Sequence, residues 1–152
     1  MDKEPHNLLP PGVTLLRTID AHQGTIKSIA FDPQGITLAA GGWDGMIKLW
    51  EAQSDKLLLT LEGHKGMVLS VAFDPKGVTL ASGGNDGTIK LWELQSGKLL
   101  RTLEAQQGKI ISVAFDPQGL TLVSGGMDAT VTLWDTQSGK ILHTFRSERA
   151  HV

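Results

Sequence analysis

The chain contains no cysteine, which removes disulfides and thiolate zinc sites and fits a reducing compartment. It has no long hydrophobic run: its apolar stretches are a handful of residues, far short of the roughly 20 that a membrane-spanning helix needs. It has no excess of one charge. Fourteen Lys and Arg against sixteen Asp and Glu give a formal charge of −2, with the basic residues scattered. No basic stripe is therefore available for nucleic acid or an anionic membrane. The opening Met1-Asp2-Lys3-Glu4-Pro5-His6 is acidic and followed by Pro10-Pro11, unlike a signal peptide. No stretch shows helical 3.6-residue periodicity. A soluble, cytoplasmic chain is expected, with no cofactor and with neither nucleic acid nor membrane as partner.

What the chain does have is repetition. The stretch Gly83-Gly84-Asn85-Asp86-Gly87-Thr88-Ile89-Lys90-Leu91-Trp92-Glu93 returns as Gly41–Glu51 and as Gly125–Asp135, so that Trp50, Trp92 and Trp134 stand 42 residues apart. A fixed period of this size marks a repeat architecture. Each unit also holds a β-branched run ending in Phe31, Phe73 or Phe115, and then Asp-Pro-x-Gly at Asp32–Gly35, Asp74–Gly77 and Asp116–Gly119. Proline presets the turn's φ and glycine supplies its positive φ, so each of these connects a hairpin. A Lys-Leu-Leu-x-Thr-Leu type strand opens the unit, the Gly-Gly-x-Asp-Gly segment is a second tight turn, and the Trp-bearing strand closes the unit. Four short antiparallel strands per unit are predicted. The inner strands are apolar on both faces, as in Val68–Phe73, so units should stack face to face.

With Gly63-His64, Ser70-Val71-Ala72-Phe73-Asp74-Pro75, Asp86, Trp92-Glu93 and the literal Trp134-Asp135 in register, the chain resembles the WD40 repeat family from about residue 13 to 146, and within it bacterial tandem-amplified repeats. The resemblance implies an all-β fold of three four-stranded antiparallel blades in a β-propeller. The expected division is an N-terminal extension 1–12, an overhanging outer strand 13–20, blades at 21–62, 63–104 and 105–146, and a tail 147–152. It also implies a buried hydrogen-bonded tetrad of His64, Ser70, Asp86 and Trp92, with His22, Ser28, Asp44 and Trp50 in the first unit. The third has Ser112, Asp128 and Trp134 with Gln106 in place of histidine. Ala129 stands there for the turn glycine, an alanine forced to positive φ.

A recurring Ser/His/Asp set invites a hydrolase, but a nucleophile is needed once, in a cleft. A set that recurs beside tryptophan and degenerates in the third copy reads as architecture, so no catalytic residue is expected. His6, His22, His64, His143 and His151 never sit at ligand spacing, so no metal is expected either. The Gly-Gly-x-Asp-Gly turns lack the Gly-Lys-Ser/Thr of a phosphate loop.

Positions that differ between copies mark candidate partner-binding residues. By the resemblance these ring the central channel: Trp43, Asn85 and Met127 in the turns, Thr25, Met67 and Lys109 opening the inner strands, and Gln23, Lys65 and Gln107 before them. Trp43, Met67 and Met127 would form an exposed apolar patch, with Trp43 the best single candidate. The function so implied is a non-catalytic scaffold or adaptor for an unidentified protein.

Three blades do not close a ring that typically takes four to eight, and the open end faces would be apolar. Self-association is expected, a homodimer of six blades in preference to a homotrimer of nine. The alternative is a fragment, or a regulatory or sensor part, of a larger WD40 propeller protein. The chain also holds four outer-type strands for three blades, so residues 13–19 are expected to latch onto a neighbouring protomer's last blade, competing there with residues 140–146.

Overall fold

A computed structural model of the chain describes residues 9–21 and 24–146. They form three four-stranded antiparallel sheets, each a simple meander. The first contains β1 (Ile26–Phe31), β2 (Thr37–Gly42), β3 (Met46–Glu51) and β4 (Leu57–Glu62). The second contains β5 (Val68–Phe73), β6 (Thr79–Gly84), β7 (Thr88–Glu93) and β8 (Leu99–Glu104), and the third β9 (Ile110–Phe115), β10 (Thr121–Gly126), β11 (Thr130–Asp135) and β12 (Ile141–Arg146).

Turn chemistry fixes this register. In each Asp-Pro-x-Gly turn the glycine N–H donates to the aspartate carbonyl at 3.0 Å, and the glycines hold φ of +70° to +73°. Asp74 Oδ1 also accepts the N–H groups of Val78 and Thr79 at 2.7 and 2.9 Å, satisfying backbone donors where β6 begins. The second turn holds Gly45 and Gly87 at φ +78° and +80°, and Ala129 at +66°. That alanine is strained where its counterparts are glycines.

The blades stack through two apolar seams. Ala39, Ile47, Leu49 and Leu61 of the first sheet close on Val68, Val71, Leu80 and Trp92 of the second. Ala81, Ile89, Leu91 and Leu103 of the second close on Ile110, Val113, Leu122 and Trp134 of the third. Fully burying one such aliphatic side chain stabilises by about 1.5–3 kcal/mol. The seams need close backbone approach: a side chain at Gly41 or Gly83 would strike Val68 or Ile110 at 2.5 Å. The inner strands β1, β5 and β9 lie side by side along the arc.

The arc is open. On the first sheet Ile26, Ile29 and Phe31 are exposed, although their counterparts Val68 and Val71 are buried; on the third, Val131 and Phe145 are exposed where Ile89 and Leu103 are buried.

The expected strand at residues 13–19 is not formed. A strand needs a neighbour for its backbone groups, and among the described residues each β3-type strand already has its own outer partner. The segment lies instead beside the first blade, where Arg17 Nη1 meets Asp55 Oδ1 at 2.7 Å. Residues 1–8 and 147–152, expected as extension and tail, lie outside the described residues.

Candidate functional site

The buried network is clearest in the second blade, and its hydroxyl is not the expected one. Trp92 Nε1 donates to Ser82 Oγ at 2.9 Å, and Ser82 Oγ lies 2.7 Å from His64 Nε2. His64 Nδ1 lies 3.0 Å from Asp86 Oδ2. Since the indole only donates, the serine must pass its proton to Nε2, which leaves Nδ1–H to donate to the carboxylate. One tautomer satisfies the whole chain of bonds. Asp86 also accepts the N–H groups of Lys65 and Thr88 and the hydroxyl of Thr88, so it binds the loop before β5 to the β6–β7 turn.

Electrostatics favour this neutral histidine. Burial pushes the His64 pKa down, and the attraction of Asp86 only partly offsets it. Burial would raise Asp86, but the hydrogen bonds from Lys65 and Thr88 and the neighbouring imidazole hold it below the usual carboxylate value.

Ser70 lies on the other face of its sheet. Its Oγ accepts Val113 N–H of the next blade at 3.1 Å, as Ser28 Oγ accepts Val71 N–H at 3.1 Å. A bulge between Val68 and Ser70 is the cause: it places Val68 and Val71 together on the Trp92 face and turns Ser70 away. Ser112, the third member of this series, is exposed.

In the third blade the histidine's substitute is Gln107 rather than Gln106. Gln106 takes φ +50° and is exposed, which swings Gln107 inward to 2% exposure. Gln107 Oε1 accepts Ser124 Oγ–H at 2.7 Å, and Nε2 donates to Thr130 Oγ1 at 2.8 Å. Trp134 Nε1 donates to Ser124 Oγ at 2.9 Å, and Asp128 Oδ1 accepts Thr130 N–H at 3.0 Å. Gln107 is therefore part of the interior and not of a partner-binding surface. In the first blade Asp44 Oδ1 accepts Met46 N–H at 3.1 Å, Trp50 is buried, and the position matching Ser82 and Ser124 is Ala40. His22 and Gln23 lie outside the described residues. Sequence reasoning missed Ser82, Ser124, Thr88 and Thr130, although a serine directly before Gly-Gly in two of three copies was a readable signal.

The remaining candidates gather at one end of the blades. Trp43 N–H donates to Thr25 O, Asn85 N–H to Met67 O and Met127 N–H to Lys109 O, at 2.9–3.0 Å, so each turn residue sits against the residue opening its inner strand. Trp43 is 60% exposed and Met127 65%. Between them Asn85 and Met67 are half-buried, so Met67 adds less to the surface than expected, while Thr25, Lys65 and Lys109 are exposed. A shallow hollow between the second and third blades is lined by Asn85, Thr88, Glu104, Gln106 and Lys109.

The model of the WD domain, G-beta repeat matches three times, over residues 13–51, 55–93 and 97–135. The second and third matches start at the outer strand of the preceding sheet, β4 or β8, and residues 13–19 hold the same place in the first match. Among curated proteins, the Ribosome biogenesis protein ERB1 of Chaetomium thermophilum is 61% identical over 58 residues, covering 32% of this chain and 7% of that protein. The protein of the same name from Coccidioides immitis is 47% identical over 54 residues (36% and 6%), and that from Yarrowia lipolytica 36% over 54 residues (36% and 7%). The matched segment spans only 6–7% of these relatives, and none of them speaks for the bacterial likeness expected above. With three tandem matches over most of its length, the chain belongs to the WD40 repeat family.

Proposed function

We propose that the chain is a non-catalytic protein-interaction scaffold that contributes three blades to a larger WD40 propeller. One observation carries this reading: the turns, each hydrogen-bonded to the residue that opens its blade's inner strand, present Trp43 and Met127, two large exposed side chains of the kind that anchor interfaces, at the same end of the blades. Asn85, Lys65 and Lys109 supply the polar surround. The partner is a protein, without nucleic acid, membrane or cofactor.

The Ser82–His64–Asp86 trio has hydrolase-like spacing, but Ser82 is 0% exposed and its oxygen already accepts the Trp92 indole. No substrate carbonyl can approach it. The relatives are proteins of ribosome biogenesis by name. What they share with this chain is a stretch of about one third of it.

The test is capture of a binding protein by the full chain, compared with Trp43→Ala/Met127→Ala. The expected result is loss of that protein with an unchanged urea midpoint; capture undiminished by both substitutions would refute the assigned face.

A larger ring is favoured by two observations. The apolar ends of the arc are exposed, and the curated relatives are far longer than the matched segment. One source of the remaining blades is a larger propeller protein. A second source is another copy of this chain, two copies making six blades and three making nine. Its support is that both end faces repeat the residues of the internal seams.

A further inference from the structure

We propose that the two end faces of the arc are mates, so that the third blade of one copy seats on the first blade of a second copy and two copies close a six-bladed ring. This rests on the reading of the chain as three blades of a larger propeller. The observations behind it are three contacts, each made at the internal seams and each left with one unused half at either end.

The first is a glycine seat. Val68 sits on Gly41 and Ile110 on Gly83, both so closely that a side chain would strike them at 2.5 Å, whereas a side chain at Gly125 would meet nothing within 4 Å. The residue in that repeat position for the next blade is Ile26, which is exposed. The second is a hydroxyl stitch. Ser28 Oγ accepts Val71 N–H and Ser70 Oγ accepts Val113 N–H; the unused halves are the exposed Ser112 and Ile29, the latter 72% exposed. The third is a turn contact. A side chain added at Gly77 would lie 3.5 Å from Pro33 and one at Gly119 3.1 Å from Pro75, while one at Gly35 would meet nothing within 4 Å and Pro117 is exposed. Each unused half on the first blade has its complement on the third. A heterologous contact of this kind closes into a ring when its rotation allows, and six blades lie within the usual range.

The junction also has one outer slot for two strands. Arg101 of β8 donates to the carbonyls of Ser138 and Gln137 in the following blade's turn, and Arg17, at the same repeat position, reaches Asp55 in the first blade's turn. Ile19 and Ala21 already lie in an apolar hollow with Ile26, Leu38 and Trp50, as Leu61 lies with Val68, Leu80 and Trp92. Every residue of β12 is exposed. Residues 13–19 therefore compete for the outer edge of the second copy's β11, which β12 holds in the single chain.

Because the chain has no cysteine of its own, a pair of introduced cysteines reports the contact directly. At the internal seats a glycine Cβ would lie 3.0 Å from Val68 Cβ and 3.1 Å from Ile110 Cβ, within a small shift of the roughly 3.5–4.5 Å that a disulfide spans. Full-length Ile26→Cys/Gly125→Cys should oxidise to a covalent dimer, while neither single variant does. Gly125→Val, at a position where an added Cβ meets nothing within 4 Å in its own chain, should halve the wild-type mass and leave the fold intact. A wild-type mass of one chain, a double variant that cross-links no more than the singles, or a Gly125→Val of unchanged mass would each overturn the proposal. Those results with Trp43-dependent capture intact would remove the second copy and leave the scaffold standing. Loss of Trp43 dependence with cross-linking intact would do the reverse.

Discussion

Replacing Ser82 by alanine tests the reassignment of the buried network most sharply. Its hydroxyl accepts Trp92 Nε1–H at 2.9 Å and serves His64 Nε2 at 2.7 Å, in a site with no exposed surface. Alanine leaves two buried groups without their partner, each costing about 1–3 kcal/mol, and removes one hydroxyl that no longer needs desolvating. A net loss of about 3 kcal/mol follows, or roughly 6–12 °C in Tm for a domain of this size. Ser70→Ala orphans a single backbone N–H, that of Val113, and should cost only about 1 kcal/mol. Urea titration followed by tryptophan fluorescence gives both values under one protocol. A Ser70→Ala variant destabilised as much as Ser82→Ala, or more, would refute the network described here.

Four further outcomes are expected. Ala129→Gly should stabilise by about 1 kcal/mol, since the residue sits at φ +66° where the other two blades have glycine; an unchanged or lower urea midpoint would contradict this. The native pKa of His64 is depressed from 6.5, so the unfolded chain takes up the proton first. Its contribution is complete above about pH 6.5 and is lost as the pH falls from there toward the folded value. The urea midpoint should decline over that interval in the wild type and much less in His64→Gln. Gly83→Val should prevent stable folding through its 2.5 Å clash with Ile110, whereas Gly125→Val should not, as read by far-ultraviolet circular dichroism. Removing residues 1–20 should lower both oligomeric mass and Tm, and a truncated chain with both unchanged would exclude the latch.

The blades were legible because their punctuation is local. Asp-Pro-x-Gly and Gly-Gly-x-Asp-Gly dictate turns through the φ of one or two residues, and the spacing of Trp50, Trp92 and Trp134 sets the repeat. What was misread depends on which way a side chain faces. Simple alternation from Val68 carries Ser70 to the Trp92 face; the bulge between them reverses that, and a bulge leaves little trace in composition. Gln106 and Gln107 exchange roles for a similar reason, a single left-handed residue before β9. Residues 13–19 carry a strand's sequence, but a strand is made by its neighbour. Trp43 and Met127 were found as surface residues because they vary between otherwise shared frameworks. Met67 was overrated, since it is half-buried, its carbonyl accepting the Asn85 N–H at 2.9 Å.

The most direct test of an arc that needs neighbours is the absolute mass of the wild-type chain in solution, by light scattering on a sizing column over a range of concentrations. A discrete species of two chains is predicted. A monodisperse single chain that stays soluble at high concentration, with Ile26, Ile29 and Phe145 left in water, would contradict it.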